Sequence, residues 1–368
     1  MPSSSTSIST SPLRAAVVGT GAIVTGSHLP ALRAHADRIE LVAAVDVDAT
    51  RLSEFQKLAG ERVTGYHDLP TMLDTEHPDL VLIGTPPALH QQQTLAALKS
   101  GAWALCEKPL TLSLAEYDAL AAAEEATGAY ASVVFQHRYG SGAVHARDLI
   151  QDGTLGTPRV AHCQTTWHRD AAYYAVPWRG RWASEGGGPT MGHGIHQYDL
   201  LLHLLGDWTE IRAMAARLVH DTESEDVSTA LVRFANGALA TVVNSVLSPD
   251  EVSRIRIDCD RATVELTHLY GHSNTDWTYT PSPAATPIPP PATDTPSSHT
   301  AQLGALLDAH DQGVRPPGSG AEARRTLEFA AALYKSAFTG ATVRAGEITP
   351  GDPYYSAMHG NHPEWSPK

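Results

Sequence analysis

The sequence predicts an α/β protein in which a doubly wound parallel sheet precedes a C-terminal α/β domain with a large, mostly antiparallel open sheet. Up to about residue 138, short apolar strands alternate with helical segments, which is typical of parallel sheets. From Thr157 the strands become longer and alternate in polarity. The 368 residues also exceed what one hydrophobic core usually organises. We therefore expect a disordered Ser/Thr-rich tail at 1–12, a first domain at 13–138 and a second at 139–368.

Composition excludes several classes of partner. The net charge of −14 argues against nucleic acid and anionic membranes, because phosphate contacts need clustered Lys and Arg. No apolar run approaches the roughly 18 residues of a transmembrane helix, and the tail lacks the features of a signal peptide. Cys106, Cys163 and Cys259 are widely spaced and odd in number, which fits reduced thiols. We expect a soluble, cytoplasmic protein that acts on a small molecule.

The first strand runs into a glycine-rich turn. The strand Arg14–Gly19 continues into Gly19-Thr-Gly21-Ala22-Ile23, after which helical patterning follows. Such turns let backbone N–H groups approach a pyrophosphate at a helix N-terminus. Val24 stands where the dinucleotide-binding pattern usually has a small residue, and this weakens the match. Gly19, Gly21, Ala22 and Ile23 are the predicted phosphate-binding positions.

The second strand supplies a carboxylate for the same ligand. Glu40–Val45 ends at Asp46, about 25 residues after the glycines, near the spacing at which a carboxylate takes ribose hydroxyls. Asp48 follows closely, and two carboxylates repel a 2′-phosphate, so NAD is favoured over NADP. Arg51 either covers the adenine or is an ordinary exposed helix arginine.

Later strands end in polar residues as well. Pro78–Thr85, Gly101–Cys106 and Ala129–Phe135 read as strands, and the last two end at Glu107-Lys108 and Gln136. Pro109 cannot continue a strand ladder, so the chain leaves the sheet there. Because the carboxyl ends of parallel strands meet at one edge, these positions are expected to face one crevice.

The second half carries strands of a different kind. Asn236-Gly237 predicts a two-residue hairpin between two of them. The proline-rich stretch 278–298 is expected to be a solvated extended loop, and Ala321–Phe338 to be an amphipathic helix closed by Gly340. The predicted strands are Arg159–Trp167, Ile211–Leu218, Val227–Phe234, Ala238–Val246, Ser253–Cys259 and Thr263–Leu266.

A chemically dense segment lies between the first of these strands and the others. Tyr173-Tyr174 and Trp178-Arg179 suit a sugar pocket or a cofactor clamp, and equally an ordinary packed loop. On the apolar helix that follows, His196, Asp199 and His203 share one stripe at i, i+3 and i+7. A buried structural histidine is the usual alternative. Further ligands at metal-site spacing are missing, so no metal site is predicted.

Taken together, these motifs resemble the Gfo/Idh/MocA family of glucose–fructose oxidoreductase and inositol dehydrogenase. The resemblance covers nearly the whole chain. It implies a Rossmann domain followed by an α/β domain whose open sheet commonly forms dimer or tetramer contacts. The motifs, in order, are Gly19-Thr-Gly21, Asp46, Thr85-Pro86 with His90, Glu107-Lys108-Pro109, Trp178-Arg179, Gly186-Gly-Gly188, Gly194-Ile-His196 and Asp199.

The resemblance also implies site residues. Lys108 and His196 are the implied catalytic residues. One departure affects the site, because Gly192 stands where many members have an aspartate that pairs with the histidine. His193 either takes over substrate contact or a proton-transfer role, or it is only a loop residue. The other implied cofactor contacts are Thr85, Pro86, His90, Glu107, Gln136, Trp178 and Arg179, and the other implied substrate contacts are Tyr174, His193 and Asp199.

The predicted function is NAD-dependent oxidation of a secondary hydroxyl of a sugar, glycoside, anhydrosugar or cyclitol. His196 would accept the hydroxyl proton and Lys108 would stabilise the charge that develops on the oxygen. An NAD-retaining, redox-assisted glycoside hydrolase or lyase is one alternative. A non-catalytic sugar or dinucleotide sensor is another, although the presence of both Lys108 and His196 argues against it. A homodimer or homotetramer is expected.

Overall fold

The computed structural model describes residues 11–285 and 287–362, so most of the predicted tail at 1–12 lies outside the described residues. The first sheet has six parallel strands in the order β3-β2-β1-β4-β5-β6, which confirms the doubly wound prediction. The three-residue β3 was not predicted individually. The strands are β1 (Leu13–Val18), β2 (Ile39–Val45), β3 (Thr64–Tyr66), β4 (Leu80–Ile83), β5 (Trp103–Cys106) and β6 (Ala131–Val133).

Helices cover both faces of this sheet, and several begin at classical capping residues. Asp48, Asp68 and Ser113 each accept a hydrogen bond from a backbone N–H of the first turn. Burial on both faces explains why β4 and β5 are continuous apolar runs. The helices are a π-helical turn at Val24–His28 leading into α1 (Leu29–Ala34), then α2 (Ala49–Ala59), α3 (Leu69–Glu76), α4 (His90–Lys99), α5 (Leu114–Thr127) and α6 (Ser141–Gln151).

The second sheet has eight strands in the order β13-β12-β11-β7-β10-β9-β8-β14. All its pairs are antiparallel except β7 with β10, so the mostly antiparallel prediction is confirmed. The predicted hairpin turn lies between β9 and β10, where Gly237 has φ +90°. The strands are β7 (Pro158–His168), β8 (Trp208–Ala216), β9 (Val227–Phe234), β10 (Leu239–Ser245), β11 (Leu247–Cys259), β12 (Ala262–His268), β13 (Trp277–Pro281) and β14 (Val343–Arg344).

One sequence prediction is corrected here. The proline-rich stretch 278–298 does not begin as a loop, because its first four residues belong to β13, which pairs with β12. Later in the same stretch Ser297 is buried, and its backbone N–H donates to the carbonyl of His272. Proline content alone misled the prediction, since the prolines of this segment lie mostly beyond the paired residues.

The remaining helices connect the two sheets. α9 (Ile195–Leu205) continues a π-helical turn at Thr190–Gly194 and is buried between α6, α11 and the inner face of the second sheet. α10 (His299–Asp311) packs against α1 of the first part of the chain. The others are α7 (Ala171–Tyr174), α8 (Trp182–Glu185), α11 (Gly320–Thr339), which ends at Gly340 as predicted, and α12 (Pro353–Ser356).

Within the described ranges, no helix has the length and apolar character needed to cross a bilayer. Cys106, Cys163 and Cys259 are free thiols. The proposed domain boundary between residues 138 and 139 stays a prediction.

Candidate active site

The glycine-rich turn depends on close packing between neighbouring strands. Gly19 has φ +83°, and a Cβ there would lie 3.0 Å from the backbone of Gly84. A Cβ on Gly84 would in turn lie only 2.4 Å from Cγ2 of the fully buried Val24. The small residue that the pattern lacks at Val24 is therefore supplied by Gly84, which explains how a branched side chain fits there.

The surface of this turn is open. A Cβ on Gly21 would meet no heavy atom within 4 Å among the described residues. The helix begins immediately afterwards, where the N–H groups of Val24 and Thr25 bond to the carbonyl of Gly21. The turn thus offers an exposed backbone and a helix N-terminus, as a pyrophosphate requires, with Ala22 and Ile23 in the first turn.

Asp46 anchors the same turn through its carboxylate. Oδ2 accepts hydrogen bonds from the backbone N–H and the hydroxyl of Thr20, both at 2.8 Å, and Oδ1 accepts one from the N–H of Asp48 at 2.9 Å. A carboxylate accepts about four hydrogen bonds, so capacity for a ribose hydroxyl remains. Asp46 therefore fixes the glycine turn in addition to its predicted cofactor contact.

Arg51 lies at the surface beside these carboxylates. Its side chain is 61% exposed, and Nε donates to Oδ2 of Asp48 at 3.1 Å. Asp48 also caps α2, and these interactions lower the pKa of its carboxyl group. The described arrangement is that of an exposed helix ion pair, which was the second interpretation of Arg51. The adenine contact stays a prediction.

His90 has a bracing position that the sequence did not indicate. The ring is 1% exposed, with Nδ1 2.7 Å from the carbonyl oxygen of Pro109 and Nε2 2.8 Å from that of Thr85. The Thr85 hydroxyl donates to Gln93 at 2.6 Å. Because both ring nitrogens contact backbone carbonyls, His90 joins the Thr85-Pro86 loop to the cis Lys108–Pro109 peptide. His90 thus has this support role, and its predicted cofactor contact stays a prediction.

Glu107 is held by two histidines from distant parts of the chain. Oε1 accepts hydrogen bonds from Nε2 of His28 at 3.0 Å and of His299 at 2.9 Å. Burial acts to raise the pKa of Glu107, but the two imidazoles outweigh it and the pKa lies well below its usual range.

These three residues also have the composition of a metal site. Their donor atoms lie within 4.8 Å of one another. Metal-bound histidines usually donate from their second ring nitrogen, whereas Nδ1 of His28 is buried without a hydrogen-bond partner in residues 11–285 and 287–362. The arrangement is better described as a hydrogen-bonded triad that fixes the end of β5 beside Lys108.

Lys108 spans the crevice between the two parts of the chain. Its Nζ donates a 2.7 Å hydrogen bond to the carbonyl oxygen of Gly192. Burial lowers the pKa of Lys108 from its usual 10.5. His193 follows directly, with Nε2 3.4 Å from the Tyr173 hydroxyl and its ring packed edge-on against Trp167. The structure therefore brings His193 into the same crevice as Lys108.

His196 lies at the start of α9 beside residues that the sequence did not single out. Its ring centroid is 5.1 Å from that of His137 and 5.7 Å from that of Tyr270. The His272 ring lies 4.2 Å from that of His137 at an interplanar angle of 49°, and Gln136 donates to the Tyr270 hydroxyl. Burial, followed by the charge of Lys108, lowers the pKa of His196 well below 6.5, so the ring is neutral.

Sequence reasoning did not select His137, Tyr270 or His272, and only the first of them carried a usable signal. His137 follows Gln136 directly at the end of β6, so its position at a strand tip was available as a signal. Tyr270 and His272 lie in the loop after β12, where no local pattern marks them.

Asp199 is held by hydrogen bonds inside the protein. Its carboxylate accepts hydrogen bonds from Nε and Nη2 of Arg138 at 2.6 and 2.5 Å and from Thr326 at 2.7 Å. The residue is fully buried. Both carboxylate oxygens join α9 to the end of β6 and to α11, and the predicted substrate contact stays a prediction. His203, on the same stripe, has its pKa lowered to about 2 by burial.

The aromatic–arginine segment lies above His193. The Arg179 guanidinium stacks 3.7 Å from the Tyr173 ring centroid and 4.6 Å from that of Trp178. The Tyr174 ring packs against those of Tyr173 at 5.1 Å and His220 at 4.6 Å. Its predicted substrate contact stays a prediction.

The fold and this crevice define a class of protein. A glycine turn, a carboxylate after β2 and a lysine–histidine pair at the carboxyl edge of a parallel sheet are the features of a dinucleotide-dependent oxidoreductase. Residues 13–135 match the family model of oxidoreductases with an NAD-binding Rossmann fold, and residues 143–265 match the model of the GFO/IDH/MocA C-terminal domain. The chain belongs to the GFO/IDH/MocA family of NAD-binding oxidoreductases.

Relatives of known name support the assignment. The chain is 28% identical to D-apiose dehydrogenase of Paraburkholderia graminis over 92% of either chain. It is 30% identical to D-glucoside 3-dehydrogenase of Escherichia coli over 54% of this chain and 56% of that one. The WlbA dehydrogenase of Bordetella pertussis, solved with NADH and UDP-GlcNAcA, superimposes with a TM-score of 0.80 at 25% identity, covering 91% of this chain and 99% of that one. The predicted family and cofactor are confirmed.

Proposed function

We propose that the protein oxidises a secondary hydroxyl of a sugar, glycoside, anhydrosugar or cyclitol, and that Lys108 and His196 handle the hydroxyl proton. The observation that carries this proposal is a half-buried ammonium at the carboxyl end of β5, held by the Gly192 carbonyl, whose charge acts on the neutral imidazole of His196. The relatives named above, which include apiose and glucoside dehydrogenases, support the carbohydrate class.

The residues present fit the cofactor. The open backbone at Gly21 suits the pyrophosphate, and Asp46 retains a free acceptor position for the ribose. Just after β6, Oε1 of Gln136 is buried without a hydrogen-bond partner in the described chain. Bound NAD supplies the hydride acceptor. Thr85, Pro86, Glu107 and Trp178 stay proposed cofactor contacts, whereas Arg179, the remaining predicted contact, is assigned to the substrate below.

His196 acts as the general base in this proposal. A base must be unprotonated, and the lowered pKa of His196 keeps the ring neutral at physiological pH. Its Nδ1 is buried and makes no hydrogen bond within the part of the chain that the structure describes.

Lys108 acts on the same substrate oxygen. As the hydroxyl proton leaves, negative charge develops on the oxygen, and a hydrogen bond from the ammonium lowers the energy of that state. The bond to Gly192 uses one of the three N–H groups, so two remain available.

The test is NADH absorbance on mixing the purified protein and NAD with sugars, glycosides, anhydrosugars and inositols. NADH formation with one of these classes is the expected result. Absence of net NADH, together with NAD released on denaturation and cleavage of a glycoside, would replace the proposal with the redox-assisted hydrolase or lyase. Binding of NAD and sugar without any conversion would favour the sensor.

A further inference from the structure

We infer that the substrate carries a carboxylate or a phosphate, bound at the end of the crevice formed by Lys108, Arg169 and Arg179, which we call the cationic end. This inference rests on the proposed function, because it specifies the substrate of the same site. It arises from the charges around His193, which the resemblance does not explain.

Two guanidinium groups share one aromatic ring at this end. The Arg179 guanidinium lies 3.7 Å from the Tyr173 ring centroid, and that of Arg169 lies 5.3 Å from it and 5.0 Å from Trp167. The Tyr173 hydroxyl is 3.4 Å from Nε2 of His193. Stacking on these rings holds the guanidinium planes in place while leaving the N–H groups at the edges for a ligand.

All three cations face the same imidazole. Burial lowers the pKa of His193 well below its usual range, and Lys108, Arg169 and Arg179 lower it further. The charges of Arg179 and Arg169 also lower the pKa of Lys108. The three charges therefore belong to one crevice, although the chain as a whole carries a net charge of −14.

Three carboxylates lie near these three cations, and each of them already accepts a hydrogen bond within the protein. Nη1 of Arg169 donates to Oε1 of Glu251 at 3.1 Å and to the His168 carbonyl at 2.6 Å. The other nitrogens of this guanidinium remain for a ligand. Glu185 faces Lys108 and Arg179, but its carboxylate accepts the Gly180 N–H and burial raises its pKa. Glu107, on the other side of Lys108, already accepts from two histidines.

Arg179 is the least compensated of these cations. In the described part of the chain it makes no ion pair, and its Nε is buried without a hydrogen-bond partner. A half-buried guanidinium with unused donors is stabilised by a planar or tetrahedral oxyanion, which accepts two parallel hydrogen bonds. A hydroxyl group does not neutralise this charge.

The opposite end of the crevice is neutral. His137 and His272 are 1% and 2% exposed, and burial lowers the pKa of His272 to about 4. Nε2 of His137 and both ring nitrogens of His272 make no hydrogen bond to any described residue. The partly exposed Tyr270 ring packs against His137 and suits the C–H face of a sugar. The substrate that fits both ends is a polyhydroxylated ring or chain with one anionic group, such as a uronate, an aldonate or a sugar phosphate.

The experiment compares matched substrates on the full-length protein with saturating NAD. D-Glucose, D-glucuronate and D-glucose 6-phosphate form one set, and the corresponding galactose compounds form another. We expect kcat/KM for one anionic member to exceed that of its neutral parent at least tenfold, and the ratio to fall between 20 and 200 mM NaCl as salt screens the charges. Comparing D-glucuronate with D-glucose 6-phosphate shows whether the anionic group of the substrate is a carboxylate or a phosphate.

Variants locate the effect. Arg169→Gln and Arg179→Gln should each reduce the anionic-to-neutral ratio of kcat/KM at least tenfold, and Arg169→Lys should retain part of it. Arg181→Gln is the matched control, because Arg181 lies on the same loop but is exposed and outside the crevice. It should leave the ratio unchanged.

The other outcomes are informative in different ways. Equal kcat/KM for neutral and anionic members, with NADH formed, overturns the anion inference and leaves the proposed function standing. A rise of KM for NAD alone in Arg179→Gln overturns the substrate role of Arg179 and returns it to the cofactor. If no member yields NADH, the proposed function fails. Calorimetric binding of D-glucuronate or D-glucose 6-phosphate to the NAD-loaded protein then decides the anion site, with loss of binding in Arg169→Gln supporting it and no binding overturning it.

Discussion

The Lys108 ammonium donates a 2.7 Å hydrogen bond to the carbonyl oxygen of Gly192, a residue 84 positions further along the chain. Gly192 occupies the position at which many family members have an aspartate. A carbonyl orients the ammonium without neutralising it, so the charge of Lys108 remains available to a substrate oxygen. The backbone of Gly192 thus holds the lysine, although its side chain offers no carboxylate.

Replacing Lys108 tests its proposed role in catalysis. We expect Lys108→Ala to reduce kcat by roughly 10²–10³, the usual effect of removing one stabilising donor, while cofactor affinity stays nearly intact. Turnover is followed as NADH absorbance and NAD binding by calorimetry. Lys99→Ala, at an exposed position of α4, is the control. Loss of NAD binding with turnover preserved at saturating cofactor would contradict the assignment.

The pH profile follows from the two lowered pKa values. His196 must be neutral to accept a proton, and its pKa lies well below 6.5, so kcat/KM should stay level as the pH falls through 6.5 and decline only below it. Lys108 must be protonated, and its pKa lies below 10.5, so activity should be lost on the alkaline side before pH 10.5. Lys108→Arg should move the alkaline limb upward, because arginine stays protonated. An acidic limb centred at or above 6.5 would rule out a neutral, buried His196 as the base.

The contact between Val24 and Gly84 can be tested by a compensating pair. Gly84→Ala places a Cβ about 2.4 Å from Val24 Cγ2, and such overpacking usually costs about 1–3 kcal/mol of unfolding free energy. We expect a lower urea midpoint and a raised KM for NAD, because the glycine turn shifts. Val24→Ala in the same chain should restore both values in part. A double variant no better than Gly84→Ala would show that the clash is not with Val24.

The ion pair between Arg138 and Asp199 is buried, with side-chain exposures of 2% and 1%. Asp199→Ala leaves the guanidinium without this partner, which typically costs about 3–5 kcal/mol of unfolding free energy. Urea unfolding followed by tryptophan fluorescence measures the loss. Glu210→Ala breaks an exposed pair with Arg233 and should cost less than about 1 kcal/mol. Arg138→Met with Asp199→Leu should be less harmful than Asp199→Ala, and the reverse order would contradict this account.

The outer face of the second sheet fits the expected homodimer or homotetramer. Val160, Met214, Leu231 and Leu239 lie on this face and are between 42% and 77% exposed. We propose that copies of the chain associate here, since exposed apolar patches mark association sites. Leu231→Glu should lower the mass measured by light scattering, whereas Leu58→Glu on the exposed side of α2 should not. A single-chain mass for the unaltered protein would contradict the proposal.

Local sequence features were enough for much of the fold. The glycine turn, the carboxylate at Asp46 and the Glu107-Lys108-Pro109 strand end are each contiguous or close to a predicted strand. Parallel strands place such ends at a common edge, so the crevice followed from local patterns. The short strands β3 and β14 were not recognised because two or three residues carry too little periodicity.

Side-chain partners were less accessible to sequence reasoning. Asp199, His196 and His203 share a helical stripe, yet Asp199 bonds Arg138, 61 positions away, and His196 neighbours His137. Periodicity fixes which residues lie on one face of a helix, but it does not identify what packs against that face.

The sequence by itself determined the parallel dinucleotide-binding sheet, the mostly antiparallel second sheet and the family, because these depend on short-range patterns and their order. It also indicated Lys108 and His196, whose catalytic roles stay a proposal. The tertiary structure decided that Glu107 is held by His28 and His299, that Gly192 orients Lys108, and that Arg169 and Arg179 converge on Tyr173. Several of these contacts join residues far apart in the chain. Their formation depends on how the two sheets and α10 pack together, which no local pattern encodes.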